Sequence, residues 1–304
     1  MRLRITEIEP LSPSIAKFTL KPDVGELPVA GAGSHVVVDI PGPGRVWKNA
    51  YSLVTSPESR AAYQIIVRRV AHSRGGSAWL HDHAKAGETL NISMPQNFFP
   101  VAHLAKKHLL ISAGIGITPF LAYLQTLRAP FEWHHTGKAE DAPAFEALLP
   151  KSPHITLHTS RNTLNLGALL GAQKLGTHLY ICGPEQFTDT ALAAARHLGW
   201  PEAALHTESF GGATGGAPFT AQLRRSGRTL QVASDQSLLE AIEAAGITAP
   251  YLCRGGACGE CLLFVLEGMP EHRDHVLSPE QRQANDCMLT CVSRAKTPEL
   301  VLDF

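Results

Sequence analysis

The sequence predicts a multidomain chain: an antiparallel β-barrel, then an α/β domain on a parallel sheet, then a small α+β domain. Three observations carry this. The 304 residues exceed one ordinary core and suit two or three domains of roughly 100 residues each. Near residue 106 the pattern changes from short strands between breakers to buried strand, glycine turn and helix. A glycine-rich stretch at 211–217 then sets off a cysteine-rich last part. The resulting division is 1–101, 102–210, a linker at 211–217, and 218–304.

Hydrophobic content of 44%, charged content of 18% and zero formal net charge fit a soluble globular protein and exclude a strongly basic, nucleic-acid-coating one. The segment Met1–Glu7 has no apolar core of signal-peptide length, and no run of about 18 apolar residues occurs. A cytoplasmic protein with no nucleic-acid or membrane partner is expected.

In the first domain, residues 15–20, 35–40 and 63–70 read as strands, and Pro41-Gly42-Pro43-Gly44 reads as a break after the second. In the second, residues 108–113 form a buried strand leading into Gly114-Ile115-Gly116-Ile117-Thr118-Pro119 and an apolar helix. Another strand, residues 177–182, ends at Gly183-Pro184 before a helix over 188–198. The paired histidines His81, His83, His134 and His135 read as solvated loop residues. The stretch 211–217 holds four glycines in seven residues, the composition of a flexible tether. Beyond it, residues 219–223 and 228–232 flank Arg225-Ser226-Gly227 as a hairpin, and Ser237 with Glu240 forms a capping box for a helix that Gly246 ends.

Five of the six cysteines crowd the last fifth of the chain, which in a reducing compartment favours metal ligation over disulfides. Cys253, Cys258 and Cys261 are spaced C-x4-C-x2-C, and Cys291 follows thirty residues on, the plant-type [2Fe–2S] spacing. Gly255, Gly256 and Gly259 allow a loop to wrap a cluster and turn its amides toward the sulfurs. A structural zinc site would ask for paired C-x2-C units or histidines, and neither is present. Cys287 is the odd thiol, an alternative fourth ligand or a buried free cysteine.

At this point the sequence resembles the phthalate dioxygenase reductase and vanillate demethylase reductase family, over essentially its whole length. The stretches that carry the resemblance are Cys253–Cys261, Glu271-His272-Arg273-Asp274, and Cys291–Lys296 running into Leu300–Asp303. It implies a flavin-binding β-barrel, an NAD(P)-binding α/β domain and a carboxy-terminal β-grasp ferredoxin domain, in that order. It also aligns Cys291, rather than Cys287, with the fourth ligand, giving Cys253, Cys258, Cys261 and Cys291 as the metal set.

Asn49-Ala50-Tyr51-Ser52-Leu53 resembles the family's R-x-Y-S-L flavin motif, with Asn49 where the family has arginine. The resemblance packs Tyr51 against the isoalloxazine and puts the Ser52 hydroxyl near flavin N5. Arg74-Gly75-Gly76-Ser77 resembles the phosphate-holding segment, with Arg74 able to supply the charge that Asn49 lacks. FMN is the first expectation and FAD the second. Gly114, Gly116, Ile117, Thr118 and Pro119 match the nucleotide-loop motif, and Cys182, Gly183 and Pro184 match the segment beside the nicotinamide. Glu208-Ser209-Phe210 matches a segment whose aromatic ring covers the flavin, a shielding role for Phe210. Ser52, Cys182 and Phe210 are thus the residues expected at the reacting atoms. Trp133–Lys138 departs from the family's adenosine-ribose pattern, so NADH is expected on family habit and NADPH stays open.

The function implied is an oxygenase reductase, passing electrons from NAD(P)H through flavin and a [2Fe–2S] cluster, one at a time, to a terminal oxygenase. A Rieske-type dioxygenase, monooxygenase or demethylase is the first expectation for that partner. A haem or other amine monooxygenase, or a stand-alone flavin oxidoreductase, is the alternative. Residues 218–304 carry 11 acidic and 8 basic side chains, net −3 against +3 for the rest, which suits salt-sensitive docking of a basic partner near the cluster. A pure electron carrier would not need the glycine motifs of the middle domain.

Overall fold

The computed structural model describes the chain outside residues 43–44, 71–74, 161–162, 209 and 211–214. It divides into two compact units, Met1–Phe210 and Gly211–Phe304. No helix among the described residues is long and apolar enough to cross a membrane.

The first unit opens with β1 (Arg2–Ser12), β2 (Ile15–Lys21), β3 (Ser34–Gly42), β4 (Arg45–Ser52), β5 (Tyr63–Arg68), the short helix α1 (Gly76–Asp82), β6 (Thr89–Ile92) and β7 (Gln96–Asn97). The strands pair antiparallel in the order β4-β3-β6-β1-β2-β5, with β7 beside β3. A bridge between Leu53 and Ile65 joins the two ends of that order. The sheet therefore curls back on itself as a barrel closed at this bridge. Its interior is filled by alternate side chains, among them Leu3, Ile5, Phe18, Leu20, Val36, Val38, Ile40 and Ile65.

One sequence expectation shifts here. Pro41 and Gly42 do not stop β3; Pro41 stands opposite Val46 at the tip of the β3–β4 hairpin, where a missing N–H is tolerated. Strand β1, the longest, carries no continuous apolar run, because only Leu3 and Ile5 of its first turns point inward.

The same unit continues with β8 (Lys107–Ala113), α2 (Thr118–Tyr123), β9 (Phe131–Thr136), α3 (Ala142–Leu148), β10 (Ile155–His158), α4 (Leu166–Gly171), β11 (Thr177–Cys182), α5 (Glu185–His197) and β12 (Leu205–Glu208). All pairs are parallel, in the order β10-β9-β8-β11-β12. The order reverses between β8 and β11, so a crevice opens at their carboxyl ends, the usual ligand seat of such a sheet. One face packs Leu110, Trp133, Tyr180 and Cys182 with Phe99, Phe120, Tyr123 and the barrel residues Ile15, Val54 and Ile66. The other packs Leu109, Ile111, Leu179 and Ile181 on Phe187, Ala191 and Ala195 of α5. His134 and His135 lie in β9 rather than in a loop, and His135 is fully buried against Phe145.

The second unit holds β13 (Phe219–Leu223), β14 (Arg228–Val232), α6 (Leu238–Ala244), β15 (Leu262–Glu267), β16 (Pro270–Glu271), α7 (Pro279–Ala284), β17 (Cys287–Leu289), β18 (Arg294–Ala295) and β19 (Glu299–Leu302). The mixed sheet runs β14-β13-β19-β15-β17, with β19 parallel to β13 and antiparallel to β15. Helix α6 closes its core, capped by the reciprocal bonds of Ser237 and Glu240 and followed by Gly246 at φ +76°. A hairpin, a helix and a late central strand make this a β-grasp, so the three-part fold class stands. Residues 215 and 217 of the expected tether are held: Arg273 Nη1 donates to the Gly215 carbonyl at 2.8 Å and Arg294 Nη2 to that of Ala217 at 3.0 Å.

Candidate functional site: two turns, a barrel strand and a cysteine loop

Strand β4 presents Trp47, Asn49 and Tyr51 on one face and Ser52 on the other. Asn49 Nδ2 donates to Tyr51 Oη at 3.1 Å. The start of α1 lies directly on this face: a Cβ on Gly76 would stand 2.6 Å from Asn49 Nδ2, and one on Gly75, at φ +122°, 2.3 Å from the Trp47 ring. Asn49 thus occupies the space beside the glycine pair, and only glycine lets the backbone come so near. The Ser77 hydroxyl accepts from the Val70 amide at 3.3 Å. Arg74 and Ser209 lie outside the described residues.

At the crevice, β8 runs into the Gly114–Ile117 turn and α2, with Gly114 at φ +58° and the Thr118 hydroxyl bonded to the Ile115 carbonyl at 3.0 Å. Pro119 sits in the first turn of α2, where no amide is needed. The β11–α5 turn meets this one backbone to backbone: a Cβ on Gly116 would stand 2.2 Å from the Cys182 carbonyl oxygen. Gly183 packs on Ala113 and Phe187, and Pro184 precedes α5.

Register places Ser112, Cys182 and Glu208 in one row across β8, β11 and β12. Ser52 reaches this row from the barrel, its Oγ 3.5 Å from Glu208 Oε2. The Glu208 residue is half-buried, but its carboxyl end is the desolvated part, and burial pushes it up to about 8 against a smaller downward pull from the Ser52 hydroxyl. Burial, then the Glu208 charge, pushes the fully buried Cys182 thiol up as well, so Cys182 is a poor nucleophile. The Phe210 ring is 38% exposed.

In the second unit the loop after α6 carries Arg254, Gly256 and Gly259 at φ +54°, +74° and +80°. These left-handed turns aim amides at sulfur: Gly255 and Ala257 each donate to Cys253 Sγ at 3.4 Å, and Cys253 donates to Cys258 Sγ at 3.5 Å. The thiols of Cys253 and Cys258 contact each other, as do those of Cys261 and Cys291, and each contact lowers one thiol and raises the other. Among the described residues no three potential ligands surround a single-ion position. Two facing pairs with converging amides fit a two-iron cluster. Cys287 pairs with Phe264, on the sheet face opposite to Met288 and Leu263, and burial raises its thiol.

Residues 221–296 match the family model of the 2Fe-2S iron-sulfur cluster binding domain. Residues 92–205 match that of the dimethylamine monooxygenase subunit DmmA-like, N-terminal domain. The heme-dependent oxidative N-demethylase beta subunit of Ectopseudomonas mendocina (strain ymp) is 43% identical over 99% of this chain and 98% of its own. The carnitine monooxygenase reductase subunit of Escherichia coli (strain K12) is 39% identical over 99% of this chain and 98% of its own. The solved structure of phthalate dioxygenase reductase, described as a modular structure for electron transfer from pyridine nucleotides to [2Fe-2S], superposes with a TM-score of 0.83. It shares 32% identity and covers 100% of this chain and 98% of that one.

The chain belongs to the phthalate dioxygenase reductase family. As a member it is an NAD(P)H-dependent flavin iron–sulfur oxidoreductase, the reductase component of an oxygenase system. The residues fit the family's groups: glycine turns that no Cβ could enter and thiols served by backbone amides. Sequence reasoning gave no role to Glu208, which meets Ser52 across 156 residues of chain. Its one local signal is an acidic residue ending the strand Leu205–Glu208. Asp141, which bonds barrel residues more than 120 positions away, gave none.

Proposed function

We propose that this reductase uses FMN and NADH and hands electrons to an amine-oxidising oxygenase. The contact of the Gly114–Pro119 and Cys182–Pro184 turns, with Ser52 meeting Glu208 beside them, is the observation that carries this reading. It supports one seat in which nicotinamide and flavin come face to face. When bound, a flavin would supply hydride acceptance from the nicotinamide and one-electron release toward the [2Fe–2S] cluster. Tyr51 packs the ring system, Ser52 offers a hydroxyl near N5, and Gly75-Gly76-Ser77 with Arg74 holds the phosphate. Gly114, Gly116, Ile117, Thr118 and Pro119 cradle the dinucleotide, while Cys182, Gly183 and Pro184 border the nicotinamide and Phe210 shields the flavin. Asn49 and Ala50 line the flavin strand, closed by Leu53. Cys253, Cys258, Cys261 and Cys291 hold the cluster.

The functional division 1–101, 102–210, linker 211–217 and 218–304 belongs to the same reading. So does a cytoplasmic location, where the unliganded thiols of Cys182 and Cys287 stay reduced. The N-demethylase relative and the DmmA-like match favour an amine monooxygenase partner over an aromatic dioxygenase. Docking near the cluster, on the unit whose residues 218–304 carry net −3, is proposed for it. The test is an anaerobic visible spectrum before and after one equivalent of NADH, with the released flavin identified by chromatography. Bleaching of both flavin and iron–sulfur bands, with FMN released, is expected. An iron–sulfur band untouched by NADH would sink the electron path.

A further inference from the structure

One arginine of the barrel holds the turn that follows β9. Arg68, at the end of β5, sets Nη2 2.8 Å from Asp141 Oδ2. Its Nη1 lies 3.4 Å from the point where a Cβ on Gly114 would stand. Asp141 has no exposed side-chain surface and also accepts from Ser14 Oγ at 2.8 Å and Ser12 Oγ at 3.4 Å, in the turn joining β1 to β2. Its own amide closes the turn before α3 onto the Lys138 carbonyl at 3.1 Å. The turn after β9 is therefore tied to the barrel through a single carboxylate, and the guanidinium paired with it lies close to Gly114 in the turn after β8.

A carboxylate withdrawn from water is retained only where it is paired and hydrogen-bonded, and apolar packing could join the same surfaces at no such cost. What the charge pair adds is directional: one relative position of barrel and sheet brings the guanidinium to Oδ2 and both serine hydroxyls to Oδ1. We propose that Asp141 is a positioning residue for hydride transfer. Through Arg68, Ser12 and Ser14 it fixes the turn Gly137–Asp141 to the barrel, with the Arg68 guanidinium set close to Gly114. This rests on the reading above that Gly114–Pro119 seats the dinucleotide and that Ser52 borders the flavin. Hydride transfer needs reacting atoms about 3–3.5 Å apart, and a shift near 1 Å can cost about a hundredfold. A latch at this point acts on the rate of transfer rather than on affinity.

The experiment is rapid anaerobic mixing of Asp141→Asn holoprotein with NADH, alongside amide hydrogen exchange of the flavin-free protein. The limiting rate of flavin reduction should fall about tenfold or more. The NADH concentration at half-maximal rate should move less than twofold, and exchange across residues 137–141 should accelerate. Ser14→Ala, which keeps the ion pair, should show the same split to a smaller degree and decides the matter if Asp141→Asn does not fold. An unchanged limiting rate, or a loss explained wholly by weaker NADH binding, would overturn the proposal. If the wild-type protein itself is not reduced by NADH, the functional reading has failed. The exchange data then decide the latch alone: acceleration upholds it, and no change overturns it.

Discussion

At Glu208, burial beside Ser52 sets the charge state: with its carboxyl pushed up to about 8, the residue carries a proton at neutral pH. The folded protein then binds a proton that the unfolded chain has released above its ordinary 4.5. The stabilisation is complete below 4.5 and is lost as pH rises through about 8. The slope is at most about 1.4 kcal/mol per pH unit, less for the part of the residue that meets solvent. Glu208→Gln should flatten the fall in thermal midpoint between pH 6 and 8.5, and an equally steep fall in the variant would refute the assignment. A second residue-scale test concerns sulfur. Cys287→Ser should leave the visible absorption per protein unchanged and Cys291→Ser should cut it, because only Cys291 faces another thiol of the cysteine loop. The spacing of Cys253, Cys258 and Cys261 was legible because their partners lie within nine residues. The Ser52–Glu208 and Arg68–Asp141 contacts were not, since nothing local marks a side chain whose partner arrives from another layer.

Among the elements, the paired turns at the crevice leave the least room. Gly116→Ala would drive a methyl into the Cys182 carbonyl, 2.2 Å away, and backbone cannot yield as a side-chain tip does. The expected cost is about 1–3 kcal/mol in chemical denaturation, together with an NADH requirement raised about tenfold as the turns part. A variant with wild-type NADH dependence would mean that the turns do not form the seat. Elements with a strong local signal were legible: β8, β11, the β13–β14 hairpin and the Ser237-capped helix all fall where apolar runs and breakers put them. The barrel strands β1, β4 and β6 were harder to read. Strand β4 shows Trp47, Asn49 and Tyr51 to a half-open face, and β1 mixes Glu7 and Pro10 into its run. Barrel closure is a long-range property, carried here by Leu53 against Ile65, and no window of sequence holds it.

For the whole molecule, buried neutral histidines set the acid limit. Burial lowers His35 to about 4 and His135 to about 3, and His206 is held near 4 by burial and by its neighbour His178. Stability from these groups is present above 6.5, their ordinary value, and is lost as pH falls toward 4. His35 and His135, each nearly or wholly without exposed surface, contribute up to about 1.4 kcal/mol per pH unit apiece. Unfolding free energies from urea titrations at pH 6.5 and pH 5 should differ by about 2 kcal/mol once the opposing Glu208 contribution is included, and equal values would contradict the buried-neutral assignment. Acid lability from the histidines and alkaline lability from Glu208 together put the stability maximum between pH 6 and 7. The second unit carries a constraint of another kind, one of order in time. Its central strand, β19, is the last of its strands to leave the ribosome, and until then β13 and β15 have nothing between them. Arg294, which ties Ala217, Ala233 and Gln236 together, and the thiol of Cys291 also emerge late. The fourth thiol therefore joins the other three only late in synthesis, and the sheet closes beside it later still.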